Sequence, residues 1–279
     1  MSRFRIILTA IVLLCAATGA HSQSILTDPR EIVDRQIAAF GGLELLRADQ
    51  NRYFEASFSV GGLSGTIKVW NQTPDLSRTE LDLGGFKMIE GVSAELEWSL
   101  DANGKVQKKS KPNEVAIQRR EVRRRMATFE YADKTSDFFA VSGGNVENVA
   151  GVECYVVTIT NKLNADRRTD YINTRTFLVE QSVSMEGESH TTSVFADYRN
   201  VGGFQVAFGI KQTDRETGQT QELKIATYET GKTVDPGLFD PPEDTGSDFR
   251  FTKGLSAENI KFQYRGNHIY LPVTVKCKE

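Results

Sequence analysis

Two hydrophobic rhythms divide the chain. Ile32, Val33, Ile37 and Phe40 recur at helical spacing behind Asp28-Pro29, an N-cap acid followed by proline at the first helical position. Gly41-Gly42 closes that segment, and residues 43–48 form one or two further turns that pack Leu43 and Leu46. From Tyr53 onward the period falls to two. Strands are predicted at 53–60, 63–71, 77–83, 86–92, 95–100 and 105–109, then at 137–141, 152–160, 168–173, 178–185, 190–198, 204–213 and 221–228. Gly61-Gly62, Pro74-Asp75, Gly84-Gly85 and Asn103-Gly104 separate the early ones, and turns this short make consecutive strands antiparallel neighbours.

The break in the strand pattern, residues 113–128, is helical. Asn113 is its cap, Val115, Val122 and Met126 mark one face, and Arg119, Arg120, Arg123 and Arg124 mark the other. About thirteen strands with two helical segments exclude alternating βα units. The fold class expected is mainly β (α+β): a strongly curved antiparallel sheet, an unclosed barrel with helices lidding the concave face. Phe204, Val206, Phe208 and Ile210 alternate with polar or small residues, so one face of the sheet needs cover. Two helical segments do not cover so long a sheet completely, which predicts an apolar cavity. Its candidate ligand-binding wall is Phe58, Ile67, Val69, Val156 and Phe208, with Val122 and Met126 on the lid.

Composition changes this picture little. At 39% hydrophobic and 25% charged, the chain has apolar content for a substantial core and is not intrinsically disordered. Residues 1–22 read as a cleaved signal peptide: Arg3 and Arg5, the apolar run 6–14, then the small residues around Ala20-His21-Ser22. Their removal takes the formal net charge from −3 to −5 and Cys15 with it. A nucleic-acid partner is not expected at that charge. The two remaining cysteines, Cys154 and Cys277, do not make a disulfide framework, and Cys154 reads as an ordinary core residue.

Three strings that look catalytic fail on context. Asp244-Thr245-Gly246-Ser247 spells an aspartic-protease motif, but Pro241-Pro242-Glu243 precedes it where an apolar strand is required. Gly231-Lys232-Thr233 resembles the end of a phosphate loop, but the earlier glycine position is Ala226 and Pro236 prevents the following helix. His190 and His268 are the only histidines after the signal segment, and His190 borders a strand. No catalytic residue, metal site or cofactor is expected. The arginines Arg119, Arg120, Arg123 and Arg124 form a candidate basic docking face for an anionic membrane surface or an acidic protein partner, with a solvated face as the plainer reading.

Several stretches resemble a known family. Residues 29–33 through Phe40-Gly41-Gly42, then Ala94-Glu95-Leu96-Glu97-Trp98 and Asp101-Ala102-Asn103-Gly104-Lys105, resemble the periplasmic lipoprotein-carrier superfamily (LolA-like, outer-membrane lipoprotein-sorting). So do residues 148–157, 195–203 and Asp235-Pro236-Gly237-Leu238-Phe239. The resemblance covers residues 28–243 and implies a curved sheet whose concave face holds a lipid, lipoprotein acyl chain or other hydrophobic ligand in the periplasm. Residues 266–275 resemble the first strand of bacterial retropepsin-like aspartyl proteases, so that residues 244–279 read as a linker and a truncated protease-like segment. That second resemblance implies the alternative function of a non-catalytic accessory domain beside a missing protease unit.

Overall fold

The computed structural model describes residues 25–85, 87–93, 96–100, 104–108, 114–243, 263–265 and 268–270. The signal segment 1–22, the Asn113 cap and Asp244-Thr245-Gly246-Ser247 lie outside the described residues.

Among the described residues there are three α-helices: α1 (Pro29–Phe40), α2 (Leu43–Ala48) and α3 (Glu114–Ala127). The strands are β1 (Asn51–Val60), β2 (Leu63–Gln72), β3 (Leu76–Asp82), β4 (Lys87–Val92), β5 (Glu97–Leu100) and β6 (Val106–Lys108). After α3 come β7 (Phe139–Val149), β8 (Val152–Asn161), β9 (Arg167–Asn173), β10 (Val179–Glu186), β11 (Ser189–Val201), β12 (Phe204–Asp214) and β13 (Thr220–Thr230). All thirteen form one antiparallel sheet in the order β6-β5-β4-β3-β2-β1-β13-β12-β11-β10-β9-β8-β7. The ends β6 and β7 do not pair, so the barrel stays open, as expected. Two short strands, β14 (Gln263–Arg265) and β15 (His268–Tyr270), form a separate two-stranded sheet.

The local chemistry explains the main boundaries. Asp28 caps α1 by accepting from the Arg30 amide at 2.9 Å, and Gly41 ends it at φ 129°. A Cβ on Gly41 would sit 2.8 Å from the Gly203 carbonyl, so glycine lets the helix end touch the β11–β12 turn. Strand β7 outruns its expected end at Val141. Gly143 and Gly144, both at φ 107°, carry a bulge instead of a turn, and the ladder with β8 resumes from Val146.

Chain order gives α3 its position. The first arm of the sheet runs outward from β1 to β6, the second runs inward from β7 to β13, and α3 joins the two outer edges. It must therefore cross a face. That face also carries α1, whose buried Ile32, Val33 and Ile37 join Phe139, Tyr155, Val157, Ile159, Ile172 and Phe204 in the main core. A second cluster of Ala56, Phe208 and Ile225 lies where β1, β12 and β13 meet.

After β13 the chain does not yet leave the domain. The chain next forms a 3-10 turn, Pro236–Phe239, and Phe239 is only 1% exposed. Its carbonyl accepts from the Trp98 indole N–H at 2.8 Å, while the Leu238 carbonyl accepts from Arg78 at 3.1 Å. Gly91 on β4 makes room, because a Cβ there would come within 2.5 Å of the Trp98 ring.

Cys154 is a free, buried thiol, as expected of a core residue. Burial, with a smaller push from Glu180, raises its pKa to about 11 from 9.0. Its thiolate fraction at neutral pH is then about a hundredfold below that of an ordinary thiol. In a chain with Cys15 and Cys277 replaced by serine, an aromatic disulfide reagent should label the native protein far more slowly than the urea-unfolded one. Equal rates would contradict the burial. Because folding raises this pKa, the thiol's contribution to stability declines as pH climbs from 9 through 11.

Candidate functional site

Between the helices and the covered face of the sheet lies a cavity of about 390 Å³. Phe40 of α1 and Leu46 of α2 form one side, and Phe129 with Tyr131, just after α3, form another. The sheet supplies Phe54 from β1, Val179 from β10, Phe195 and Tyr198 from β11, Phe204, Val206 and Ile210 from β12, and Ile225 and Tyr228 from β13.

Irregularities in the ladders aim these side chains. Strict alternation would send residues three apart to opposite faces. On β13 the register shifts between Glu55 and Ala56, leaving Ala226 as the extra residue, so Ile225 and Tyr228 both reach the cavity. On β10 the shift against β9 leaves Glu180 extra, and Val179 and Ser182 come to one side. On β11, Asp197 adopts φ 55° between the Ala196–Gly209 and Tyr198–Ala207 pairs, and both Phe195 and Tyr198 line the cavity.

One wall is polar. Asp170 of β9, whose side chain is 3% exposed, accepts from Arg168 Nε at 3.1 Å and Nη2 at 3.0 Å, both on Oδ2. Its Oδ1 accepts from the Ser182 hydroxyl at 2.8 Å, and Oδ2 also accepts from Gln36 Nε2 at 3.4 Å. Arg168 lies over the Tyr131 ring at 5.3 Å. Burial opposes the guanidinium charge, but the Asp170 carboxylate and Tyr131 outweigh it and hold the pKa above the ordinary arginine value. Burial likewise pushes the Tyr198 phenol up, and its hydroxyl donates to the Val179 carbonyl at 2.7 Å. At another corner Arg52 donates from Nε to Asp49 at 2.7 Å.

A smaller cavity of about 260 Å³ lies beneath α3, lined by Arg119, Val122 and Met126 together with Phe139, Ile159 and Met185. Arg168 faces both cavities.

The seven residues expected around one cavity, five on its wall and two on its lid, are spread over three places. Val122 and Met126 do face the sheet, but over the smaller cavity. Phe208 belongs to the second cluster, with Ile67 packed against it. Phe58 and Val69 share the face of Phe54, which is paired with Val69 and two residues removed from Ala56. None of these four lines the larger cavity, which takes Phe54 from their face instead. Val156 alternates with Tyr155 and Val157, both in the main core, and so lies on the opposite face of β8.

Three of the four arginines of the expected basic face of α3 reach acids within the molecule. Arg120 pairs with Asp75 at 2.6 Å and donates to the Ser93 carbonyl at 2.9 Å. Arg123 pairs with Glu97 at 3.1 Å, and Arg124 reaches Asp75 at 3.8 Å. These bonds moor α3 to the β2–β3 turn and to β5, while Arg123 and Arg124 keep half or more of their side chains exposed. Arg119 lines the smaller cavity.

Among the described residues no three His, Cys, Asp or Glu side chains gather as a metal site, and no helix is long and apolar enough to cross a membrane.

An open antiparallel sheet wrapped around helices, with a cavity between, is the LolA-like fold. A DUF1329 family protein from Desulfovibrio piger superposes with a TM-score of 0.51 at 16% identity, over 77% of this chain and 98% of that one. A LolA superfamily protein from Nitrosomonas europaea gives a TM-score of 0.50 at 10% identity, over 77% and 98%. No family model and no curated protein sequence matches the chain. The comparisons lend no support to the aspartyl-protease resemblance of residues 266–275.

Proposed function

We propose that this domain is a non-enzymatic holder of a hydrophobic or amphiphilic molecule, exported to the periplasm by residues 1–22, with lipid or lipoprotein acyl chains as the ligand class. The observation that carries the reading is the larger cavity itself. At about 390 Å³ it falls within the range of small-molecule sites, and Phe54, Phe195, Ile210 and Ile225 turn toward it without filling it. Transfer of apolar ligand surface out of water supplies the driving force, about 25 cal/mol per Å² before ordering costs.

The reading is tested by mass spectrometry of gently purified protein and by uptake of 1-aminoanthracene, whose emission rises in apolar surroundings. A co-purifying hydrophobe or saturable uptake is expected. Ala207, on the cavity wall and 8% exposed, gives the control. Ala207→Phe fills the space and should abolish uptake while leaving the far-ultraviolet circular dichroism unchanged. Absence of both hydrophobe and uptake in the wild type overturns the proposal in favour of a filled structural core.

A further inference from the structure

We propose that the polar group of the ligand carries a hydrogen-bond donor, a hydroxyl or an amide N–H, and that the side-chain carbonyl of Gln36 receives it. This rests on the reading of the larger cavity as a ligand site. Gln36 occupies the buried stripe of α1, between Val33 and Ile37, where the other positions are apolar. It is 3% exposed and lines the cavity. Its amide orientation is set by Asp170: Nε2 donates to Oδ2 at 3.4 Å, whereas the flipped amide would set carbonyl against carboxylate. That leaves Oε1 buried with no hydrogen-bond partner.

Three neighbouring donor side chains, Ser182, Arg168 and Tyr198, are engaged elsewhere. Ser182 donates to Asp170 Oδ1, Arg168 donates to Oδ2 from both Nε and Nη2, and the Tyr198 hydroxyl donates to Val179. Both Asp170 oxygens therefore have donors and its charge is balanced, whereas Gln36 Oε1, on a residue of the cavity wall, has none. A buried acceptor without a donor is a strong structural demand, because its lost hydration is not replaced. A ligand that brings a donor meets it; a wholly apolar ligand leaves it unmet.

A second unpartnered atom, Arg52 Nη2, also belongs to a residue of the cavity wall. It is a donor and accepts no proton, so any ligand oxygen suits it equally. The two atoms together fit a single-chain amphiphile with an oxygenated, proton-bearing head, such as a long-chain alcohol, a monoacylglycerol or a fatty amide.

The experiment compares decan-1-ol with its methyl ether as competitors for bound 1-aminoanthracene. Both have an oxygen for Arg52, only the alcohol has a donor for Gln36, and the ether is the more hydrophobic of the two. The alcohol should displace the probe at about five- to tenfold lower concentration, the ratio expected for satisfying one buried acceptor. Gln36→Met, which removes the carbonyl at similar volume, should erase that preference while the ether still competes. Equal competition in the wild type, or an alcohol preference that survives in Gln36→Met, overturns the donor requirement and leaves the cavity reading standing. If neither compound competes and no probe is taken up, the cavity reading itself fails. The wild-type comparison decides the matter even if the variant does not fold.

Discussion

Replacing Asp170 with alanine should lower folding stability by about 3–5 kcal/mol, the range for breaking a buried ion pair by removing one partner. The Asp170 carboxylate is enclosed and gathers bonds from Arg168, Ser182 and Gln36. Its removal strands the Arg168 guanidinium beside Tyr131 without a counter-charge, and it leaves two further donors unpaired. Urea unfolding reads the loss as a lower midpoint at an unchanged slope. The double variant Arg168→Met, Asp170→Ala should recover most of it, because an apolar pair in that wall no longer contains an isolated charge. A loss below about 1 kcal/mol would match a solvated pair and would contradict the enclosed geometry.

The second large effect centres on Trp98, which is 2% exposed. Trp98→Ala should cost about 3–5 kcal/mol, as for other buried large aromatic residues cut to alanine. The indole lies against Gly91, beneath the Arg78 guanidinium at 5.6 Å, and donates to the Phe239 carbonyl. The same contact separates two truncations in a Trp70→Phe background, where Trp98 is the sole emitter. Ending the chain after Asp240 keeps Phe239 and should leave the emission blue. Ending it after Asp235 uncovers the ring, shifts the emission to the red and lowers the unfolding midpoint. Identical spectra would remove Pro236–Phe239 from the fold.

The strand plan was legible because the turns announce themselves: each pair such as Gly61-Gly62 or Gly84-Gly85 separates two runs of period two. The face of α1 was legible from Ile32, Val33 and Ile37. The cavity wall was not, for two physical reasons. Bulges at Glu180 and Ala226 reset which side chains share a face, and neither involves a glycine or proline that would mark it in the sequence. The height of the cavity along each strand depends on where the helices cross, so β1 contributes Phe54 to it while Phe58, on the same face, lies beyond it. The polar wall did leave a signal. Arg168 and Asp170 alternate onto the face of Ile172, and two opposite charges on a core-facing stripe of one strand call for each other and for a polar partner from the opposing helix. Gln36, the one polar residue on the buried stripe of α1, is that partner.

Of the twelve strand pairings in the sheet, eleven join strands consecutive in the chain. The remaining one, β1 with β13, brings Arg52 opposite Thr230, 178 positions away. Closing a loop of that length carries an entropic penalty of about 4–5 kcal/mol beyond a constant, whereas the hairpins close almost locally. The two arms are therefore expected to zip locally, with their joining as the step of highest entropic cost. Arg52, Phe54, Ile225 and Tyr228 of the cavity all lie along this seam. Only a molecule whose arms have met possesses this cavity, so a cargo of the proposed kind would act as a clasp: it would hold the seam shut, and a half-assembled chain would not retain it.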